Sequence, residues 1–493
     1  MNREFVISVD IGTTNTKVTL YRIEDYSVEK NESFKTSKFT DNYGELFDID
    51  EIYEKIVEVL NKFIKSFSGN IDSVNITSVG EVGILLTNDF VRATDAIAWY
   101  DIRSSEFIED LTNEEKKRIY EITGLPAHTN YVVSKLKWLY EYGNVSITKQ
   151  YIWANISDYI AYLLSGSLRT EYSLASRTMC FDIQKKCWSS EILKIFDIQD
   201  FVAFPEVVLS GTTIGYTDLS VTKSLRKEKI AVKIAGHDHM VGAYGIKLQK
   251  NELLNSTGTT EGLLYISDKA YVNQENYKKQ LSSGVYIDPS FYTLFSSMPT
   301  GGAAFEWIQR LFNIDSHVFN KMNDELYRDY MNGNINLENC LTVIPHLNGS
   351  GSPFKNSASK GLVYGLTTNT NQKDFLLGIL IGLSMEMSYV SKSFPLKEID
   401  RVVVIGPAIK NKLWLQLKAD FLNKEIVSIN TDEVVSLGGV KTAYKEQSNE
   451  KYNKDIIEPN SRNTKEIKDI KEKYELLYKT KMEITLYKNE EAE

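Results

Sequence analysis

The chain reads as an α/β protein built from two domains, and three observations predict it. Its 493 residues, 42% of them hydrophobic, exceed the roughly 250–300 over which a single core usually grows. Apolar runs of strand length alternate with amphipathic helical stretches along both halves. A Gly-Thr-Thr tripeptide also recurs between strand-like runs, once as Gly12-Thr13-Thr14 and again as Gly258-Thr259-Thr260. The expected division is a first domain over 1–245, a second over 246–485 and a polar tail over 486–493.

The first half opens with strands predicted at Glu4–Val9 and Lys17–Ile23. A helix follows over Asp50–Phe67, where Ile52, Ile56, Val59, Leu60 and Phe63 recur at helical spacing. A strand at Ile76–Val79 comes next, then mixed strand and helix through Tyr151–Leu164, then an apolar strand at Ile230–Ile234. In the second half, Leu253–Ser267 echoes the first hairpin. The strand Arg401–Ile405 then leads through Gly406-Pro407-Ala408 into a helix carrying Leu413, Trp414, Leu417 and Phe421 on one face. From Glu450 onward lysine and glutamate dominate, with Ile467, Ile470, Tyr474 and Leu477 on one helical face, as expected of a helix packed on the second domain.

Composition narrows the function classes. Lys and Arg number 57 against 66 Asp and Glu, a net charge of −9, and no basic patch offsets it, so nucleic acid is excluded as a partner. Three cysteines, Cys180, Cys187 and Cys340, show neither disulfide nor zinc spacing, which fits a reducing, cytoplasmic setting. No run of about 18 apolar residues is found by inspection, so no membrane anchorage is expected. A small molecule is the expected partner, and a homodimer is left open.

The two hairpins carry the first chemical reading. A glycine lets backbone amides approach an anion closely, and threonine hydroxyls add uncharged donors, so paired hairpins can clamp a polyphosphate from two sides. No Gly-x4-Gly-Lys-Ser/Thr loop and no Gly-x-Gly-x-x-Gly turn follows the first strand, so the phosphate site is of another kind. Asp10 offers a hard oxygen ligand for Mg²⁺, and Lys17 offers charge for phosphate, with a solvent-facing lysine as the simpler reading.

Seven segments in order, "VDIGTTNTK", "AIAWYDIRS", "AGHDHMVGAYG", "NSTGTTEGLL", "GLVYGLTTNT", "VVVIGPAIKNKLWLQLKADFL" and "VSLGGVKTAYK", resemble the FGGY family of carbohydrate kinases in the actin-like ATPase superfamily. The resemblance covers about Phe5 to Tyr444. It implies two RNase H-like domains flanking a deep cleft, with sugar or polyol bound mainly by the first and ATP by the second.

Within that resemblance Asp238 matches the catalytic aspartate. Placed at a strand end, it would act as general base on an acceptor hydroxyl while the γ-phosphoryl group is held in line. Asp10 and Asp238 would hold Mg²⁺. The implied acceptor contacts are Glu81, Trp99, Asn130, Tyr131, Asp238 and His239; His237 is read as satisfying a local hydrogen bond rather than holding a metal. Asp101 and Arg103 are expected to pair at the cleft floor. The implied ATP contacts are Thr13, Thr14, Lys17, Gly258, Thr259, Thr260, Gly301, Gly302, Gly406, Pro407 and Asn411.

Departures from the family pattern are Pro407 in the adenine-side loop, Ser350-Gly351 where relatives carry Glu-Arg, and Ile381 where they carry Glu. They motivate a catalytically weak sugar- or nucleotide-binding regulator as an alternative. A partner-driven ATPase of the actin or chaperone type is a third reading, disfavoured by "WYDIR" and "GHDHMVGA". The acceptor is expected to be a ketopentose such as D-xylulose, against which Val82 counts, or else glycerol or a tetritol.

Overall fold

The computed structural model describes residues 4–67, 69–217, 229–430, 433–444, 453–460, 462 and 464–490, without the side chains of 453, 464 and 485–490. Two large sheets organise it. The first contains β1 (Phe5–Ile11), β2 (Asn15–Arg22), β3 (Val28–Lys35), β4 (Ile71–Ser78), β5 (Thr213–Tyr216) and β6 (Ala231–His237), in the order β5-β6-β4-β1-β2-β3. The second contains β7 (Glu252–Thr257), β8 (Glu261–Ser267), β9 (Ser282–Val285), β10 (Tyr292–Met298), β11 (Arg401–Ile405), β12 (Glu425–Asn430) and β13 (Asn453–Ile457), in the order β9-β10-β8-β7-β11-β12-β13.

Both sheets repeat one plan. In each, a hairpin strand pairs antiparallel with its successor and parallel with a later strand, so β3-β2-β1-β4-β6 corresponds to β10-β8-β7-β11-β12. The Gly-Thr-Thr echo is therefore a structural repeat, each tripeptide closing the first hairpin of its sheet. The central strands are buried on both faces, as parallel strands covered by helices must be. In β1, Phe5, Ile7, Val9 and Ile11 meet the core shared with helices α1 (Ile49–Ser66) and α2 (Ile156–Ser165), whereas Val6 points the other way.

Five further helices place the site. They are α3 (Asp238–Gly245), α4 (Ala303–Phe312), α5 (Gln372–Ser391), α6 (Lys412–Leu422) and α7 (Val434–Ala443). Helix α7 packs against β1, β4, β6 and α3. Glycine permits that approach: a Cβ on Gly438 would lie 2.0 Å from the Val241 carbonyl oxygen. Asn75 Nδ2 donates to the Gly439 carbonyl at 2.9 Å and Lys441 Nζ to the Gly245 carbonyl at 2.6 Å, so the second half of the chain is tied directly to the first sheet.

Helix α5 is long and apolar enough to cross a membrane by length and composition, which inspection for apolar runs missed, but 83% of that window is buried inside the protein. Ile381 belongs to this core. The C-terminal helix α8 (Thr464–Glu490) lies against it, burying Ile467, Ile470, Tyr474 and Tyr478 and half-burying Leu477. Tyr474 donates its hydroxyl to Glu386 of α5. The stretch read as a tail from 486 begins inside α8, and 491–493 lie outside the described residues.

Candidate active site

Strand β6 runs three residues beyond its expected end, to His237, and helix α3 starts at Asp238. The crossing point is built to one shape. Gly236 has φ +128°, and a Cβ there would meet Ser173 Oγ at 2.6 Å and Glu171 Oε2 at 2.8 Å. Ser173 Oγ accepts from the His237 amide at 2.9 Å, and Glu171 Oε2 accepts from the Ser173 amide at 2.8 Å. A buried Glu171-Ser173 relay thus holds the backbone that presents Asp238.

Asp238 opens into a cleft of about 370 Å³ shared with Thr13, Glu81, Trp99, Asn130, Tyr131, His239, Gly258 and Thr260. Nine residues expected at the site, from six stretches of sequence, meet here. Burial, with Glu81 adding to it, raises the Asp238 carboxyl to about 7, although the His239 amide donates to Oδ1 at 2.6 Å. Such a group exchanges its proton near neutral pH, as a general base requires. Enclosure by protein lowers His239 to about 4 while water still reaches it, so it faces the cleft as a neutral imidazole. His237 lies 3.5 Å from Asp238 Oδ1 but is itself held neutral by burial, and its Nδ1 has no hydrogen-bond partner, contrary to the expected local bond.

The side of the cleft that carries Glu81 contains a residue that sequence reasoning missed. Arg177 donates through Nε at 2.7 Å and Nη2 at 2.6 Å to Glu81 Oε1, and its guanidinium lies 5.2 Å from the Tyr131 ring centroid. Glu81 adopts φ +64°, a backbone conformation uncommon outside glycine and a mark of a constrained position. Tyr131 shares a hydrogen bond with Ser282 of β9 at 3.0 Å. Lys135, also missed, donates to the carbonyls of Trp99 at 3.0 Å and Asn130 at 2.7 Å, fixing the two segments that wall the cleft. Asp101 and Arg103 pair as expected, with Asp41 as a third member.

The hairpins meet the cleft from the other side. Gly12 donates to the Asn15 carbonyl at 3.0 Å and Gly258 to the Thr260 carbonyl at 2.9 Å, so a glycine amide closes each turn, the first turn being one residue longer than the second. Among the described residues, the amides of Thr13, Thr14, Thr259 and Thr260 take no protein partner. They are donors available to an anion. Trp99 Nε1 donates to Thr13 Oγ1 at 3.0 Å, linking the cleft wall that carries Trp99 to the first hairpin.

Other expected nucleotide contacts are engaged elsewhere. Lys17 pairs with Glu433 at the start of α7, at 3.0 Å. The amides of Gly301 and Gly302 donate to the carbonyls of Thr259 and Gly258 at 3.0 and 2.8 Å, so these glycines seat α4 on the second hairpin. Asn411 caps α6, accepting from the Trp414 amide at 3.0 Å and donating to Asn323 at 2.9 Å. Gly406, at φ +93°, lies where a Cβ would meet the Thr257 carbonyl oxygen at 2.0 Å. Pro407 then starts a short 3-10 turn, where a missing amide costs nothing. Ser350 donates its hydroxyl to the Phe354 carbonyl at 2.6 Å. The three departures thus have local structural roles.

Asp10 lies in β1 behind the first hairpin. Burial, then the Asp238 charge, raises its carboxyl to about 7 against the opposing pull of Lys17. Two enclosed carboxylates with excess negative charge suit a hard divalent cation. No group of three or more His, Cys, Asp or Glu gathers around them among the described residues, so the other ligands of a Mg²⁺ there would be phosphate oxygens and water.

Comparison with known proteins agrees with this geometry. The N-terminal domain model of the FGGY family of carbohydrate kinases matches residues 5–245, and the C-terminal domain model matches 253–445. A glycerol kinase of Thermococcus kodakarensis is 26% identical over 452 residues, covering 89% of this chain and 88% of its own. A xylulose kinase of Staphylococcus xylosus is 25% identical over 452 residues, covering 89% and 90%. Among solved structures, a ligand-bound xylulose kinase from Lactobacillus acidophilus superposes with a TM-score of 0.85 at 19% identity, covering 97% of this chain and 98% of that one. With both domain models matched in order along nearly its whole length, the chain belongs to the FGGY family of carbohydrate kinases.

Proposed function

We propose that the protein transfers the γ-phosphoryl group of ATP to a hydroxyl of a small sugar or polyol, with Asp238 as general base. The carrying observation is the position of Asp238: it lies between the Glu81-Arg177 pair and the two Gly-Thr-Thr hairpins in one cleft, with its carboxyl raised to about 7. The acceptor hydroxyl gives its proton to Asp238 as its oxygen bonds to the γ-phosphorus and the bond to the β-bridging oxygen breaks, releasing ADP.

Thr13, Thr14, Thr259 and Thr260 cradle the phosphates through free amides and hydroxyls. Glu81 orients acceptor hydroxyls with the oxygen that Arg177 leaves open, His239 and Asn130 add hydrogen bonds, and Trp99 covers an apolar C–H face. Asp10 and Asp238 would hold Mg²⁺, whose charge offsets that of the phosphates. Trp99 bonded to Thr13 gives closure of the acceptor wall a direct route to the phosphate cradle, which favours transfer over hydrolysis. The named relatives divide between glycerol and xylulose, so the D-xylulose expectation stands as one member of the acceptor panel.

The test is ADP release by purified protein with Mg·ATP over pentuloses, hexuloses, tetritols and glycerol. Acceptor-dependent release that falls about 10²–10⁴-fold in Asp238→Asn is the expected result. ATP hydrolysis indifferent to acceptor and to that substitution would refute the assignment.

A further inference from the structure

One wall of the cleft is held from outside it. Gln280, Ser282 and Ser352 line the same cleft as Glu81, Tyr131 and Arg177. Ser352 belongs to a turn over 346–359 that reaches the cleft in its middle and α8 at its base. Gly351 presses on β10, where a Cβ would lie 2.0 Å from the Ser297 carbonyl oxygen, and Ser352 Oγ donates to the Gln280 carbonyl at 2.8 Å. Two residues on, Ser282 Oγ shares its hydrogen bond with Tyr131. The placement of the turn is thereby passed to a residue of the first half.

The base of the turn is closed by the C-terminal helix, which follows the last residue matched by the family's domain models. Lys481 of α8, only 6% exposed, donates through Nζ to His346 Nδ1 at 2.9 Å and to Ser359 Oγ. His346 and Ser359 are the two ends of the turn, so a single ammonium fastens both. An ammonium only donates, so Nδ1 is the acceptor and the Nε2 proton faces Glu386 Oε1 of α5 at 3.2 Å. Within the turn, Ser350 and Asn356 exchange amide-to-carbonyl bonds at 2.9 and 3.3 Å, and the Ser359 amide donates to the Asn356 carbonyl at 3.2 Å. A shift at Ser359 is therefore carried to Ser352 by an unbroken series of bonds.

We propose that Lys481 is a positioning residue for acceptor binding: by closing the base of the 346–359 turn it holds Ser352 and, through Gln280 and Ser282, the Tyr131 wall of the cleft. The effect on the acceptor rests on the kinase reading above, whereas the effect on the turn does not. A helix on the outer side of the second half thus sets the shape of a pocket wall that it never touches.

The experiment compares the full chain with Lys481→Met, Lys481→Arg, Ser359→Ala and Ile470→Val, using the acceptor that releases most ADP. Ile470 is a core residue of α8 outside this network, so its variant reports a loosened helix alone. In Lys481→Met the KM for the acceptor should rise at least about threefold, within the worth of one neutral hydrogen bond in the wall. Both kcat and the KM for ATP should stay within about twofold, Lys481→Arg should recover most of the loss, and Ile470→Val should leave the acceptor KM unchanged. Hydrogen exchange should quicken in peptides spanning 346–359 and Gln280–Ser282 of Lys481→Met but not in those of the first sheet. Ser359→Ala, which cuts the same anchor from the side of the turn, should quicken the same peptides. A smaller rise in KM, an equal rise in Ile470→Val, or unchanged exchange in both anchor variants overturns the proposal. If no acceptor releases ADP, the kinase reading fails by itself; quickened exchange confined to those two segments still upholds the role of Lys481, and unchanged exchange rejects it.

Discussion

Replacing Arg177 by methionine probes the acceptor site through both stability and pH. The Arg177 and Glu81 side chains are only 11% and 8% exposed, so solvent screens their interaction little. Removing one partner of such a buried pair costs about 3–5 kcal/mol, because the other charge stays enclosed without compensation. The lower figure lowers Tm by roughly 6–12 °C if the domain concerned unfolds as a unit of about 150–250 residues. The same change acts on Asp238, whose proton affinity burial and Glu81 raise and Arg177 lowers. Loss of Arg177 pushes that carboxyl above its value of about 7, so the acidic limb of kcat/KM moves to higher pH. Adding Glu81→Gln removes the orphaned charge, and the double variant should recover at least about 1 kcal/mol over the sum of the singles. Calorimetry and a pH series of ADP release on four proteins provide the measurement. Additive Tm losses, or an acidic limb that does not move in Arg177→Met, would show that the pair neither couples nor tunes Asp238.

Three other outcomes follow from particular contacts. Gly236→Ala should lower stability by about 2–4 kcal/mol in a melt and reduce kcat, since the new methyl meets Ser173 and Glu171 in a backbone conformation that L-residues avoid. Burial raises Glu171 to about 8, so the folded state keeps a proton that the unfolded chain releases near its ordinary value, and stability should fall as pH rises from about 5 to 8. Denaturant melts of Glu171→Gln should show a flatter pH dependence over that window. Tyr474→Phe should cost about 1–3 kcal/mol by leaving the buried Glu386 short of a donor, measurable as a fall in denaturation midpoint without a change in acceptor preference.

Much of the fold and part of the site were legible in the residues themselves. Alternating apolar runs predicted both hairpins, because strand formation and turn chemistry depend on neighbours a few positions apart. The glycine before His237 and the strand leading to it placed Asp238 at a strand end for the same local reason. The boundaries shifted by a few residues, as at β6, where Gly236 and His237 continue the ladder by pairing with Thr77 and Ser78 of β4.

What local pattern could not supply was partnership at long range. No sequence signal marks Arg177, which reaches Glu81 across 96 residues, or Lys135. Nothing in "PTGGAAFEW" shows that the Gly301 and Gly302 amides are committed to the second hairpin, or that Lys17 finds Glu433 416 positions away. The chain alone determined the two-domain plan, the paired Gly-Thr-Thr hairpins and the strand-end position of Asp238, because each is encoded by short-range periodicity and turn residues. Only tertiary structure decided which amides stay free and which charges pair, because hydrogen-bond and ion-pair partners are chosen by packing between elements distant in sequence.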